Sequence, residues 1–367
     1  MTIYLATLAL SVFFCWRLQT YRELRIEGTA KSMICGVYLL LLFALLSVVV
    51  GWRNGVGTDY GNYIDIYTLT ENKPYEEIWK ERESLFGVLN RYCADRYDTY
   101  VAVFAACALI TVALLLFGIC RASSSYWLSM FLLIAGMYYF DLFNGMRQMI
   151  ATALMFAAYP LARKKKWIPL FLVTLVAYGF HESSYLVFLV FLFAAYARPG
   201  KGLFWAVILV FSGVYLLYNN LIDAFITTLI ESGSAYANYE ETLARLDLGA
   251  NFLRFALTAV PVLFGCFAWK YLRQQREDVG MLLNISLINA LFMLLATRNW
   301  IFARICMFFG IYNILLWPEI LKCFEKKSRI LMTWGVVIVY FAYFWLIVHT
   351  DSNLLPYRSW LFGGTYA

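Results

Sequence analysis

The chain has 367 residues, of which 62% are hydrophobic and 14% charged, and it carries a formal net charge of +7. A water-soluble domain of this length exposes far more charge, so the composition excludes a soluble globular protein, a disordered chain and a nucleic-acid binder. What remains is an all-α polytopic membrane protein, in which the basic excess reflects where lysine and arginine sit relative to the bilayer.

Crossing a hydrocarbon core takes about 20 apolar residues per helix. Apolar stretches fall at about 1–16, 33–52, 100–119, 126–140, 146–161, 167–180, 183–197, 203–219, 251–269, 279–297, 301–317 and 330–348, which predicts about twelve transmembrane helices in one integral membrane domain spanning 1–367. No basic residue precedes the first stretch, since Arg17 is the first in the chain, so it reads as an uncleaved span and not as a removable signal. With the N-terminus outside, 18 of the 30 lysines and arginines fall in cytosolic connections, and every inner connection holds at least one. That bias predicts both termini outside, with 53–98 and 220–250 as outer loops.

The inner side mixes nine lysines with nine arginines, whereas the outer side beyond residue 100 carries only Arg147, Arg245, Arg254, Arg298, Arg304 and Arg358. A guanidinium binds phosphate through two parallel hydrogen bonds and keeps its charge where water is scarce. The group therefore points to an anionic ligand at the outer face, although any single arginine there also suits a lipid headgroup.

The eight cysteines form no Cys-x-x-Cys pair, and the two histidines, His181 and His349, are far apart. Neither a disulfide framework nor a metal centre is expected.

After the second stretch comes Arg53-Asn54-Gly55-Val56-Gly57-Thr58-Asp59-Tyr60-Gly61-Asn62-Tyr63. Its three glycines permit a tight irregular path, and its Asp, Asn, Thr and Tyr offer the hydrogen bonds and flat faces that a sugar requires. A polar connecting loop has the same composition. No Gly-Lys-Ser/Thr follows, so this is not a Walker phosphate loop. Residues 71–98 place Glu71, Glu76, Glu77, Glu81 and Glu83 among Tyr75, Trp79 and Phe86, which predicts one or two amphipathic helices on the outer surface. Glu83, near their end, is the one acid placed to reach a site.

Asn144-Gly145-Met146-Arg147-Gln148 opens an otherwise apolar stretch. A charge in the first turn of a span, opposed to the orientation bias, marks a functional site. The connection Gly179-Phe180-His181-Glu182-Ser183-Ser184 sets a histidine beside a carboxylate, a pairing suited to a general base and equally to a hydrogen-bonded helix cap. Arg298-Asn299-Trp300 turns between the tenth and eleventh stretches, with Arg304 just inside the latter; Tyr236, Tyr239, Glu240, Glu241 and Arg245 lie in the second outer loop; Arg358 follows the last stretch. The middles of the stretches hold almost no ionisable groups, unlike ion-coupled transporters.

Arg53 followed by Val56-Gly57-Thr58-Asp59-Tyr60 and Tyr63, Asn144-x-x-Arg147-Gln148, and Phe180-His181-x-Ser183 together resemble the EpsG-like family of Wzy-type bacterial polysaccharide polymerases, over essentially the whole chain. The resemblance implies a GT-C-like fold in the bacterial plasma membrane, with an active site facing the exterior. It also implies joining of O-antigen, capsule or exopolysaccharide repeat units carried on undecaprenyl pyrophosphate, without metal or cofactor. Its partners would be lipid-linked oligosaccharides and membrane lipid, with a chain-length regulator and a flippase in the same pathway.

On that chemistry Arg147, Arg298 and Arg304 would hold the pyrophosphate, with Arg53 and Arg358 as second candidates and Gln148, Asn144, Tyr60 and Tyr63 as further substrate contacts. Either His181 or Asp59 would serve as base, with Glu83 and Glu182 in reserve. An O-antigen ligase or other lipid-linked sugar transferase is the alternative enzyme, and a flippase for the lipid-linked unit is the alternative from another class.

Overall fold

The computed structural model describes residues 1–23, 29–221, 249–350 and 353–362. Most of the predicted second outer loop, with Tyr236, Tyr239, Glu240, Glu241 and Arg245, lies outside the described residues. In chain order the helices are α1 (Thr2–Glu23), α2 (Thr29–Gly51), α3 (Tyr60–Thr70), α4 (Tyr75–Ile78), α5 (Ser84–Tyr97), α6 (Tyr100–Ala122), α7 (Tyr126–Ala135), α8 (Asp141–Asn144), α9 (Met146–Ala157), α10 (Tyr159–Arg163), α11 (Trp167–Phe180), α12 (Tyr185–Tyr196), α13 (Gly202–Leu216), α14 (Phe252–Phe267), α15 (Trp269–Gln275), α16 (Val279–Ala296), α17 (Ile301–Gly310), α18 (Asn313–Lys322) and α19 (Lys326–Thr350). Among the described residues the only extended pairing is an isolated antiparallel bridge between Arg53 and Ser359.

The chain is thus an all-helical polytopic membrane protein. Among the described residues five helices, α1, α2, α6, α16 and α19, are each long and apolar enough to cross a bilayer, and the count reaches seven if α14–α15 and α17–α18 are each one bent span. Each of the twelve apolar stretches carries a helix, but several are shorter than the stretch. The 126–140 stretch is helical only to Ala135, after which Met137 takes a φ of 70° and the buried Tyr139 and Phe140 lie in turns. An apolar run records burial, and a buried turn is as apolar as a buried helix. The axis bends by 82° between α14 and α15 and by 53° between α17 and α18.

Contacts divide the chain into two units, Met1–Leu189 with Trp317–Ala367, and Val190–Leu316. In the first unit α6 packs against α2 and α9, α9 against α11, and α1 against α2 and α7, with α19 on α7. Lipid is as apolar as leucine, so packing among these helices rests on van der Waals fit more than on escape from water. At one end of the unit Gln19 Oε1 accepts from the Tyr126 N–H at 2.9 Å, and at the other the Tyr4 hydroxyl donates to Leu354 O at 2.8 Å. Tyr4 and Gln19 stand roughly 22 Å apart along α1 at 1.5 Å per residue.

The segment 53–98 gathers at the Tyr4 end. Residues 53–59 are irregular, but Tyr60 to Thr70 form a helix where an irregular path was expected through Tyr63. The reason is spacing: Tyr60, Tyr63, Tyr67 and Thr70 recur at three or four residues and make one buried stripe. α5 does the same with Phe86, Asn90 and Cys93. These two faces join Val103, Phe104 and Cys107 of α6 and Met146 and Ile150 of α9 in one core cluster.

In the second unit α16 lies against α13, α14 and α17 and is buried along most of its length. Asn284 donates from Nδ2 to Ala194 O at 3.1 Å and Ala197 O at 2.8 Å, tying α16 to the end of α12.

Candidate active site

The loop after α2 is built around Arg53. Its guanidinium is buried, donating from Nε to Val56 O at 3.0 Å, from Nη1 to Val50 O at 2.7 Å and from Nη2 to Phe143 O at 3.2 Å. Its charge lies over the Phe104 and Phe143 rings at 4.7 and 5.0 Å. Burial pushes the guanidinium down to about 10, so it stays cationic at neutral pH. These bonds fix the loop to the α8 turn.

Gly57 tightens the same contact. Its φ of 103° favours glycine, and a Cβ there would come within 2.5 Å of Phe143 O. Next to it the Thr58 N–H donates to Asn144 Oδ1 at 2.7 Å. The chain end completes the arrangement, since Gly57 N donates to Asn353 O, Asn54 N to Arg358 O and Trp360 N to Trp52 O. Thus Asn144, the last residue of α8 and separated by Gly145 from the α9 helix that begins with Met146 and Arg147, is anchored from the 53–60 loop.

Around Arg147 three segments meet. The Glu83 carboxylate sits 2.5 Å from Arg147 Nη1 through Oε2 and 2.5 Å from His181 Nδ1 through Oε1, and Oε1 also accepts from the Glu182 N–H at 3.3 Å. Glu83 has a φ of 54°, a left-handed conformation that costs a non-glycine residue about 1–2 kcal/mol. Such strain is held where surrounding contacts over-determine it. Burial alone would raise the carboxyl, but the His181 hydrogen bond and the Arg147 charge outweigh it and hold Glu83 below the usual carboxylate range.

An ionised carboxylate only accepts, so the proton between Glu83 and His181 resides on Nδ1. In a neutral imidazole that leaves the lone pair on Nε2. The carboxylate thereby orients the ring.

Gly179 makes the approach possible. A Cβ there would lie 2.5 Å from Leu85 Cδ1 and 2.6 Å from its Cγ, so only glycine lets the start of α5 come this close to the end of α11. Arg147 also lies 5.7 Å from the Phe86 ring centre, and Tyr63 packs on Phe86 at 5.9 Å. Burial raises the Tyr63 phenol, with Arg147 opposing that shift and Asp59 adding to it. Asp59, half-buried, stands at the start of α3.

The structure therefore brings Glu83, Arg147, His181 and Glu182 together, with Tyr63 beside them. Tyr60 is buried, accepting from Trp360 Nε1 at 3.3 Å, and Gln148 is buried on α9. Arg358 is exposed on the chain end. Arg298 and Arg304 belong to the second unit, where Arg298 lies over the Tyr215 ring at 4.7 Å and the exposed Arg304 over Trp300 at 5.1 Å.

One residue escaped the sequence reading. Arg82 Nη1 lies 3.6 Å from Glu182 Oε1, and nothing in the mixed run Lys80-Glu81-Arg82-Glu83 distinguishes it from its neighbours. Among the described residues no three His, Cys, Asp or Glu side chains gather closely enough to hold a metal ion.

The sequence pattern of one family, the EpsG family, matches residues 36–359, which includes every residue of this cluster. The chain belongs to the EpsG family. No curated protein and no solved structure matches it. In this EpsG-family chain the three motif segments, distant in sequence, are joined at the Tyr4 end of the first unit: the 53–60 loop to Asn144 by hydrogen bonds, and Arg147 to His181 through Glu83.

Proposed function

We propose that this EpsG-family chain is a polysaccharide polymerase, joining oligosaccharide repeat units carried on a lipid pyrophosphate at the outer face of the bacterial plasma membrane. Twelve crossings with both termini outside, in a GT-C-like arrangement, belong to the same reading, as do a flippase and a chain-length regulator as pathway partners. Family membership supports the polymerase class, and the lysine and arginine bias supports the orientation. The observation that carries the mechanism is the Glu83 carboxylate bonded to Arg147 on one oxygen and to His181 on the other.

In this mechanism His181 Nε2 takes the proton of an acceptor sugar hydroxyl. The hydroxyl oxygen bonds to the donor's anomeric carbon as the bond from that carbon to the pyrophosphate oxygen breaks. The pyrophosphate leaves with the electron pair, and Arg147 stabilises the negative charge that develops on it. Glu83 holds the imidazole in the Nδ1–H form and stabilises the imidazolium after proton transfer. Attack opposite the leaving group inverts the anomeric configuration. Arg53 is assigned to holding the loop, because its donors are turned to backbone carbonyls within the protein.

The test is an assay of the purified protein with a single lipid-linked repeat. A ladder of products with inverted linkage, lost in His181→Ala and Arg147→Ala but not in a surface variant, is the expected result. Transfer to a different acceptor without a ladder indicates a ligase, and unchanged glycan length with lipid translocation indicates a flippase.

A further inference from the structure

The mechanism above leaves Arg82 unused. Its side chain is 74% exposed and its guanidinium lies 3.6 Å from a Glu182 carboxylate that is itself 40% exposed, whereas Arg147 meets a Glu83 side chain only 10% exposed at 2.5 Å. A long, solvated ion pair contributes little, so of these two ion pairs the Arg82–Glu182 one is the weaker. They are nonetheless parts of one cluster, because the Glu182 N–H donates to the same Glu83 oxygen that binds His181.

Charge decides what such a cluster does to an anion. At neutral pH the two guanidiniums and two carboxylates sum to zero, so a diphosphate gains most from this site by displacing one of the carboxylates from its arginine. The weaker pair yields first. A diphosphate carries more charge than Glu182 and offers a guanidinium two parallel hydrogen bonds.

We infer that Arg82 is a second diphosphate ligand of the Glu83 site, and that Glu182 is its exchangeable counter-ion, holding the guanidinium when no substrate is bound and ceding it when the pyrophosphate arrives. This rests on the function proposed above and deepens it. Glu182 then acts on binding and release and is not the base. Its competition also lowers the affinity for the departing lipid pyrophosphate.

The test measures inorganic pyrophosphate binding to the full-length protein in lipid nanodiscs by calorimetry, with orthophosphate as the control anion. Arg82→Ala is expected to weaken binding roughly tenfold or more, with Arg82→Lys intermediate. Glu182→Gln is expected to tighten binding by roughly two- to fivefold, and this gain must vanish in the Arg82→Ala background. Pyrophosphate should also compete with the lipid-linked repeat in the ladder assay, which identifies the bound diphosphate with the substrate's own. A gain from Glu182→Gln that persists without Arg82 overturns the exchange, as does wild-type affinity in Arg82→Ala. If Arg147→Ala weakens binding while Arg82→Ala does not, this inference fails and the proposed function stands. If Arg147→Ala is also without effect, or if wild-type protein binds no pyrophosphate, both fail.

Discussion

Glu83 and His181, 98 positions apart, meet at 2.5 Å between a carboxylate oxygen and Nδ1. The contact joins the turn before α5 to the corner after α11, and the other Glu83 oxygen brings in the first turn of α9. A charged acceptor at Nδ1 fixes the tautomer, so the basic nitrogen of the ring is Nε2.

Replacing Glu83 by glutamine keeps its size and removes its charge. The expected outcome is a fall in kcat of about 10²–10⁴-fold, since His181, the base of the proposed mechanism, loses its orientation and its counter-charge. Rates of ladder formation from one lipid-linked repeat check this, and an unchanged kcat removes Glu83 from the chemistry.

The same carboxylate makes a pH-dependent contribution to stability. Its folded-state value is depressed, so the stabilisation is fully present above the ordinary carboxylate value of about 4.3 and is lost as pH falls through the lower, folded-state value. Wild-type protein should therefore unfold at a higher temperature than Glu83→Gln at pH 7, and the gap should close on acidification below pH ~4. A gap that widens in acid would contradict the sign of the shift.

Gly179→Ala places a methyl against Leu85 and pushes α5 away from α11. Overpacking of this kind costs about 1–3 kcal/mol, and the Glu83–His181 bond should break with it, so stability and kcat fall together. Leu85→Ala in the same chain makes room for the methyl and should restore activity. Failure of the double variant to recover either property would mean that Gly179 acts otherwise.

Arg53→Lys tests whether this guanidinium binds protein or substrate. An ammonium cannot reach the carbonyls of Val50, Val56 and Phe143 together, and each buried carbonyl left unpaired costs about 1–3 kcal/mol. The variant should lose thermal stability and folded yield, with KM unchanged in the fraction that folds. A stable variant with a raised KM would return Arg53 to the substrate contacts.

The sequence carried the membrane class and, among the described residues, the position of every long apolar helix. Those signals are local: apolar run length follows from bilayer thickness, and a charge that opposes the orientation bias, as at Arg147, stands out without any knowledge of its neighbours. Glu83 and His181 were both visible as candidates, but as separate ones, with Asp59 an equal rival for the role of base.

Only the folded chain shows what each of these side chains meets. Arg53 and Arg147 look alike in sequence, each a lone arginine beside an apolar stretch, yet one is enclosed by carbonyls and the other is one-third exposed beside a carboxylate. Tyr60 and Tyr63 offered faces for a sugar in the sequence, and in the folded chain they lie in the buried stripe of α3. Arg82 had no signal at all until α5 and the 181–184 corner met. The reason is physical: residue type and spacing determine whether a segment prefers lipid or water, but what a polar side chain bonds to depends on which segments come together, and here a glycine at 179 and a buried cation at 53 control that meeting.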